Sequence, residues 1–129
     1  MTVRVYYEDT DMAGIVYYAN YLKFIERGRS TMLRESAFSQ NDLRETEGIV
    51  FAVTEVAAKF KRSAILDDEL NIETQVDDVS RVKVVFHQRV LREDELLFEA
   101  EVTVACMSLG GRPQRIPDEA QKAFARYMA

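Results

Sequence analysis

The 129-residue chain is poor in the residues that build covalent and metal cross-links. It contains one cysteine, one histidine, two prolines and no tryptophan. A single cysteine cannot close an internal disulfide, which is typical of a reducing compartment, and we therefore expect the cytoplasm. One cysteine and one histidine also fall short of a structural zinc site. We expect neither a metal nor a cofactor.

Long apolar runs and an excess of basic residues are missing as well. No apolar run approaches the roughly 18 residues of a bilayer-spanning helix, so we expect no membrane span. The first residues, MTVRVYYEDTD, lack the basic-then-apolar layout of a secretory signal. The net charge of -5 repels polyanions, so nucleic acid is not an expected partner.

The remaining composition is that of one globular domain. The hydrophobic fraction is 47% and the charged fraction is 30%, as in ordinary soluble proteins. A chain of this length has no room for two sizeable cores. Because no repeat, low-complexity stretch or linker interrupts it, we predict a single domain over residues 1–129.

The N-terminal third predicts a strand, a loop and one long helix. Residues 2–7 are β-branched and aromatic and predict a strand, and residues 8–14 predict a loop that ends at Gly14. From about residue 17 to residue 35 apolar residues recur at three- and four-residue intervals, which predicts a helix. Its buried stripe would be Tyr21, Phe24, Ile25, Gly28, Met32 and Leu33. Gly28 within this stripe predicts a close approach of the helix to a packed sheet.

Four strands are predicted after the helix, at residues 49–61, 69–79, 82–91 and 96–107, with a hairpin turn at 92–95. Alternation assigns these side chains to the apolar face: Leu70, Ile72, Thr74, Val76, Val82, Val84, Phe86, Val90, Leu96, Phe98, Ala100, Val102, Val104 and Cys106. Pro117 is expected as the first residue of a closing helix that runs through residues 118–128.

An antiparallel sheet with one apolar face must cover that face. The helix at residues 17–35 is the only predicted element large enough to do so. The pattern therefore predicts an α+β fold in which an antiparallel sheet wraps around one long helix.

The stretch YYEDTDMAGIVYYANYLKFIERGR, residues 6–29, resembles the N-terminal motif of the 4-hydroxybenzoyl-CoA thioesterase family. It is most similar to the branch of Tol–Pal-associated acyl-CoA thioesterases. The similarity covers about 24 consecutive positions, a length that makes the motif specific, and it continues weakly at residues 51–53 and 63–68. The resemblance implies a hot-dog fold, an acyl-CoA substrate, and a homodimer or homotetramer with active sites between subunits.

Asp11 is the candidate catalytic residue. Thioester hydrolysis needs a nucleophile or a base for water, and a carboxylate can be either. It also needs positive polarisation of the carbonyl oxygen, which unpaired N–H groups at a helix start can supply. The spacing alone favours a simpler role, in which Asp11 caps the loop or the helix. The resemblance implies that Asp11 is catalytic and that the backbone amide of Tyr18, where many members of the branch have histidine, polarises the carbonyl.

Candidate substrate-binding residues lie in two regions. Gly14 and Tyr17 belong to the motif itself, and Tyr17 is one of five tyrosines that we expect mostly in the core or an interface: Tyr6, Tyr7, Tyr17, Tyr18 and Tyr21. Arg81 and Lys83 are candidates for the anionic nucleotide end of coenzyme A, because family members often place basic residues near this hairpin. A second group of basic residues, Lys59, Lys61 and Arg62, is the alternative phosphate site. The simplest interpretation of both groups is that they are solvated surface residues.

Other polar residues have simpler interpretations. Glu8 and Asp9 are expected as hydrogen-bond acceptors that shape the loop. The DTDMAG sequence resembles the start of a calcium loop but has Ala13 and Asn20 where ligands belong, so a cation site is not expected. His87 is predicted at the surface, and Cys106 is predicted to be a buried, inert thiol.

The sequence leaves three alternatives to acyl-CoA hydrolysis open. The carrier of the acyl group could be an acyl carrier protein rather than coenzyme A. The chain could also be a non-catalytic acyl-CoA-binding module or an envelope-complex scaffold of the same fold. A hot-dog dehydratase is disfavoured, because the histidine motif of those enzymes is missing from the sequence.

Overall fold

The computed structural model describes residues 1–36 and 40–128. Strands, helices and two isolated helical turns account for most of them. In chain order they are β1 (Thr2–Arg4), a 3-10 turn (Tyr7–Asp9), α1 (Asn20–Glu35), α2 (Gln40–Asp42), a π turn (Leu43–Glu47), β2 (Ile49–Phe60), β3 (Glu69–Val79), β4 (Lys83–Arg92), β5 (Glu95–Ser108) and α3 (Asp118–Ala125). The four strands predicted after the long helix are all present, with ends shifted by one residue at most.

The strands form one antiparallel sheet in the order β1-β3-β4-β5-β2. The turn predicted at residues 92–95 is confirmed as a two-residue hairpin, in which Glu93 adopts a left-handed conformation with φ 54°. β1 and β2 are the edge strands. Within residues 1–36 and 40–128, β2 pairs with β5 alone, so one side of a 12-residue strand is open.

α1 covers the apolar face of the sheet, as predicted. All six residues of its expected stripe are buried. The facing positions of the sheet are buried too, and they include Leu70, Ile72, Val76, Val84, Phe86, Val90, Phe98, Ala100, Val102 and Cys106. α3 completes the core with Phe124, whose ring lies edge-on to that of Phe86 with centroids 6.0 Å apart.

Gly28 is where the helix comes closest to the sheet. A Cβ atom built on Gly28 would lie 2.7 Å from Thr74 Oγ1 and 2.8 Å from Ile72 Cγ2. These distances are shorter than van der Waals contact, so only a glycine fits without movement of β3. The close approach predicted from the sequence is confirmed.

Two predicted boundaries near the N-terminus are wrong. The first strand ends at Arg4, not residue 7, because the Asp9 carboxylate accepts the Tyr6 N–H at 2.8 Å and turns the chain. α1 begins at Asn20, not about residue 17, because the Asp9 carbonyl accepts the Tyr17 N–H at 2.9 Å and holds that residue in the loop.

Two predictions farther along the chain also need correction. Pro117 is extended, with ψ 146°, and it precedes the first helical residue; α3 then ends at Ala125. Val82 is not on the buried face but 41% exposed, since it belongs to the β3–β4 turn rather than to β4. None of the helices in the described part of the chain has the length and apolar character needed to cross a membrane.

Candidate active site

The loop of residues 8–19, called here the Asp11 loop, folds back on itself before α1. Thr10 and Val16 face each other in an isolated antiparallel bridge. The Asp11 N–H donates to the Ile15 carbonyl at 2.9 Å, and the Gly14 N–H donates to the Asp11 carbonyl at 3.0 Å. Gly14 has φ +80°, a left-handed conformation that costs other residues more than glycine. The backbone thus fixes the position of Asp11.

The Asp11 side chain is exposed at this turn. Its Oδ1 accepts the Ala13 N–H at 2.8 Å, which orients the carboxylate relative to its own loop. Its Oδ2 has no hydrogen-bond partner among the residues that the structure describes. One carboxylate oxygen is therefore oriented and the other is open to solvent or to a ligand.

The backbone amide of Tyr18 lies at the base of the same loop. Tyr17 is bonded across the loop to the Asp9 carbonyl, which also accepts Asn20 Nδ2 at 3.0 Å. Nothing in the described part of the chain accepts the Tyr18 N–H. A free N–H just ahead of a 16-residue helix carries the partial positive charge of the helix start. The loop thus brings an exposed carboxylate and an open donor to the same end of α1.

Residues 63–68 form the platform on which the Asp11 loop rests. The Val16 N–H donates to the Ala64 carbonyl at 2.9 Å, and Ile15 bridges Ile65. The Ala64 N–H donates in turn to the hydroxyl of Tyr21, a buried α1 residue, at 3.1 Å. Burial is the main cause that raises the pKa of Tyr21 above its ordinary value.

Arg92 ties the platform to the sheet. Its guanidinium donates to Asp68 at 2.7 Å and to Glu95 at 2.6 Å. Bonds to Glu95 first and Asp68 second raise the pKa of Arg92 above its ordinary value. Glu95 also pairs with Arg62 at 3.2 Å, so the group links β4, β5 and the end of β2.

A cavity of about 200 Å³ lies beneath Tyr18. Its aromatic walls are Tyr18, Tyr21 and Phe60, whose ring centroids are about 6 Å apart where they meet. Lys61 and Arg62 line the same space and are exposed. These walls suit a short neutral segment of a ligand, and the two cations suit an anionic group of the same ligand. Of the five tyrosines, Tyr21 is buried in the core, whereas the other four are exposed in the single chain, so a core position is wrong for them and an interface position stays a prediction.

A larger groove of about 510 Å³ runs between α1 and the open strand β2. Leu22 on the helix and Val53 and Val56 on the strand form its apolar walls, and each is more than 40% exposed. Val102 of β5 lies at its floor. The groove starts one helical turn beyond the Tyr18 amide and continues along the helix.

Arg81 and Lys83 lie at the opposite end of the sheet from Asp11. Lys83 pairs with Ala105, which pairs on its other side with Ala52, whereas the Asp11 loop is beside residues 64 and 65. β4 spans ten residues, so about 30 Å separates its ends. Within one chain these residues and Asp11 are not brought together. Their predicted role requires a second chain.

The remaining candidates are outside the site. His87 lies on the outer face of the sheet, with Nε2 2.8 Å from Glu99. Cys106 is fully buried, as predicted, and burial raises the pKa of its thiol. Across the described ranges, no cluster of three His, Cys, Asp or Glu side chains could hold a metal ion.

The sequence interpretation missed a polar group in the core, called here the Gln88 cluster (Ile25, Arg29, Thr74 and Gln88). Gln88 is fully buried beneath α1, and its Nε2 donates to the Ile25 carbonyl at 2.8 Å and to Thr74 Oγ1 at 2.9 Å. Its Oε1 accepts Arg29 Nη1 at 2.9 Å. Gln88 occupies the inward position between Phe86 and Val90, and that break in an apolar series was the available signal.

Comparison with known families and proteins finds similar sequences over most of the chain. Residues 5–124 match the model of the thioesterase-like superfamily. The acyl-CoA thioesterase YbgC of Haemophilus influenzae is 44% identical over 123 residues, which cover 95% of this chain and 90% of that protein.

Solved structures give the same fold. A probable thioesterase from Bartonella henselae is 36% identical, with a TM-score of 0.87 over 91% of this chain and 97% of that one. A 1,4-dihydroxy-2-naphthoyl-CoA thioesterase from Synechocystis is 20% identical and has a TM-score of 0.89 over 97% and 93% of the two chains. The second likeness shows the fold alone. The α+β hot-dog fold expected from the sequence is confirmed.

Proposed function

Because the chain belongs to the thioesterase-like superfamily and is a thioester hydrolase, we propose that it hydrolyses acyl-CoA with a small or medium acyl group. The products are the free acid and coenzyme A. We also propose Asp11 as the catalytic carboxylate, the Tyr18 amide as the carbonyl-polarising donor, and the cytoplasm as the site of action.

One observation carries the proposal: the Asp11 loop holds an exposed carboxylate and an unshared N–H at the start of one helix. In hydrolysis, the carbonyl carbon is attacked, negative charge develops on its oxygen, and the carbon–sulfur bond breaks. The Tyr18 N–H is suited to the developing oxyanion, since the helix start favours negative charge. Asp11 either takes a proton from the attacking water or attacks the carbon itself.

The same proposal includes a site built from two chains. β2 is an open edge strand with exposed apolar side chains at Val53, Val56 and Phe60. Such an edge favours pairing with another strand. Antiparallel pairing of two β2 strands about a two-fold axis would extend the sheet and cover the groove beside α1.

This arrangement gives Arg81 and Lys83 a role that they lack in one chain. In two-fold pairing, the beginning of one β2 lies beside the end of the other. Lys83 shares a row of the sheet with Ala52 near the beginning of β2, whereas the Asp11 loop lies near its end. We therefore propose that these two cations of one chain meet the nucleotide phosphates of coenzyme A bound at the other chain's Asp11, with Gly14 and Tyr17 beside the thioester.

Thiol release from a panel of acyl-CoAs of increasing chain length tests the function. We expect turnover with small and medium acyl groups, and the panel also ranks them. Binding of acyl-CoA without release of thiol would favour the non-catalytic module instead. Acyl groups on acyl carrier protein form the second arm, and faster release from that carrier would contradict coenzyme A as the preferred one.

Light scattering tests the assembly. We expect a dimer at least, and a tetramer is consistent with the resemblance. A species of 14.9 kDa at micromolar concentration, the mass of one chain, would contradict a site made from two chains.

A further inference from the structure

Arg29 is a cation in the middle of α1 that has no carboxylate partner among residues 1–36 and 40–128. Its side chain is partly buried, and its one acceptor in the described part of the chain is Gln88 Oε1 at 2.9 Å. A guanidinium carries five N–H donors, so most of them are not used. Among the described residues no acidic group lies within ion-pair distance of it. Burial lowers the pKa of Arg29, and the nearby charge of Glu26 only partly offsets this effect.

Gln88 fixes the place of this guanidinium. Both N–H groups of its amide are bonded, to a helix carbonyl and to Thr74, which leaves Oε1 facing Arg29. Because Gln88 is fully buried and held from two sides, it acts as a rigid anchor. Arg29 is thus positioned with unused donors beside the groove rather than left free in solvent.

Arg29 lines two neighbouring cavities, as do Glu26 and Val53. Arg29 lines the groove of about 510 Å³ between α1 and β2, and it also lines a second cavity of about 180 Å³ toward Phe51, Phe86 and Phe124. The groove on the Asp11 side has apolar walls formed by Leu22, Val53 and Val56. The exposed side chains of Lys23, Glu26 and Arg27 line it as well, and Arg29 is the one cation of this lining that is partly buried. An alkyl chain could pack against these apolar walls, and an anionic group at the end of that chain could pair with the Arg29 guanidinium.

We propose that Arg29 binds a carboxylate at the far end of the acyl group, so that the preferred substrates are ω-carboxyacyl thioesters of medium length. This inference rests on the proposed function. Arg29 is nine residues beyond the first residue of α1, which is about 14 Å along the helix axis. An extended acyl chain of eight carbons spans about 9 Å, and it reaches the guanidinium because helical side chains point back toward the helix N-terminus, which brings the end of a long side chain such as Arg29 several ångströms nearer to the Tyr18 amide. A two-carbon acyl group is too short to do so.

A second copy of this chain is the competing source of a counter-charge. The β2 side chains that point into the groove are Val53 and Val56, and a second β2 paired across the same edge would present the same apolar positions there. A substrate carboxylate has the opposite charge to Arg29 and arrives on an alkyl chain that fits the walls. The chemistry of the groove therefore favours the substrate.

The test compares octanoyl-CoA with suberyl-CoA, which has the same length and an added terminal carboxylate. For the wild-type protein we expect kcat/KM to be about 10- to 100-fold higher for suberyl-CoA, the range expected for hydrogen bonds to a charged group. The difference should appear mainly in KM, because a remote contact binds ground state and transition state alike.

Variants separate this role from folding. Arg29→Met should remove the preference, and Arg29→Lys should retain part of it. Arg34→Met, which removes an exposed cation from the last turn of the same helix, should leave the preference unchanged. The ratio of the two kcat/KM values is taken within each preparation, so it does not depend on the fraction of protein that is folded.

Each outcome decides the inference. Equal kcat/KM for the two thioesters in the wild-type protein overturns it while the proposed function stands. Hydrolysis of neither thioester overturns the inference, and absence of thiol release from the whole panel of acyl-CoAs overturns the proposed function as well. A change of assembly state in Arg29→Met with an unchanged ratio assigns Arg29 to a contact between subunits and likewise overturns the inference.

Discussion

The Asp11 loop and the Gln88 cluster lie at the start and in the middle of the same helix, and they treat polar groups in opposite ways. In the loop the main chain supplies the support, while the Asp11 carboxylate and the Tyr18 N–H remain open. In the cluster Gln88 is completely buried and each of its polar atoms has a partner.

The difference indicates that the groups at the start of α1 serve catalysis, whereas the buried groups in its middle serve stability. An open donor or acceptor contributes little to folding, because water satisfies it equally in the unfolded chain. A buried, saturated group contributes through its surroundings, and its loss leaves partners unsatisfied. Changes in the loop should therefore alter turnover without unfolding the protein, and changes at the buried contacts around Gln88 should alter stability without changing turnover per folded molecule.

The largest expected effect is that of Asp11→Asn. The amide keeps the size of the side chain and the oxygen that accepts the Ala13 N–H. It removes the proton acceptor or nucleophile, and turnover of acyl-CoA should fall at least about 100-fold. Equilibrium unfolding in urea should change by less than about 0.5 kcal/mol, as for most surface substitutions.

Glu8→Gln is the matched control, because it removes one negative charge from an exposed position in the same loop. Its turnover should stay near that of the wild-type protein. If Asp11→Asn also retained wild-type turnover, Asp11 would be a loop-capping residue. If it unfolded the protein, the separation between the loop and the core would be wrong.

Gly28→Ala tests the other side of the comparison. The added methyl group would lie 2.7 Å from Thr74 Oγ1 and 2.8 Å from Ile72 Cγ2, on β-branched side chains that cannot rotate away easily. Overpacking of this kind costs about 1–3 kcal/mol, and the better helix propensity of alanine returns about 1 kcal/mol. We expect a net loss of up to about 2 kcal/mol in urea unfolding, with turnover per folded molecule unchanged.

Gly110→Ala is the control, since an added methyl there meets its nearest atom at 3.8 Å. It should change stability much less than Gly28→Ala. A gain of stability in Gly28→Ala, which helix propensity alone predicts, would show that α1 and β3 are not in close contact at this position.

The sequence predicts the apolar framework of this fold better than its polar details. The stripe on α1 and the alternation on β3, and on β5 from Phe98 onward, follow from residue type and spacing, and they are confirmed because burial of those side chains determines the packing. At the start of β5 the prediction is wrong, because Leu97 is fully buried and Leu96 is not. The close approach at Gly28 is also predictable, since a glycine within an apolar stripe needs a structural reason. Gln88 was not predicted, because its partners come from α1 and β3, which are distant in the sequence.

The candidate site shows the same limit. The position of Asp11 before the helix could be predicted from the motif. The start of α1 at Asn20 could not, since it depends on the Asp9 carbonyl accepting two hydrogen bonds. The distance between Arg81 and the Asp11 loop was equally hidden, because proximity in a sheet follows from strand order and register rather than from sequence spacing.

Tyr21 joins α1 to the platform beneath the Asp11 loop, and its hydroxyl provides the next test of the comparison. Tyr21→Phe keeps the stacked contact with Phe98, whose ring centroid is 4.9 Å away, and removes the acceptor of the buried Ala64 N–H. We expect a loss of about 1–2 kcal/mol. The raised pKa of folded Tyr21 adds a pH dependence: its contribution is complete below the unfolded value of about 10 and is lost as the pH rises toward the folded value.

The measurement is urea unfolding of both proteins at neutral pH and above pH 10. The wild-type protein should lose more stability than Tyr21→Phe over this interval, because the variant has no group to ionise there. Tyr7→Phe, at a position that is 84% exposed, should behave like wild type. Parallel pH curves for wild type and Tyr21→Phe would contradict the buried hydroxyl.

The smallest effect is expected for Arg81→Ala combined with Lys83→Ala, and it tests whether the open Asp11 loop is completed by another chain. Both residues are exposed, and about 30 Å of sheet separates them from the loop in one chain. If they bind nucleotide phosphates across a dimer, their loss should raise KM for acyl-CoA by roughly two- to tenfold, as expected for solvent-exposed charge pairs, with kcat unchanged. The increase should shrink at high salt, since screening acts over about 8–10 Å at physiological ionic strength. A truncated thioester without the nucleotide should show no difference between the two proteins.

Lys61→Ala combined with Arg62→Ala tests the alternative phosphate site, because these cations lie beside Tyr18 in the same chain. If the Lys61 and Arg62 variant alone raises KM at low salt, the phosphates bind within one chain, and the Asp11 loop does not depend on a second chain for its charge.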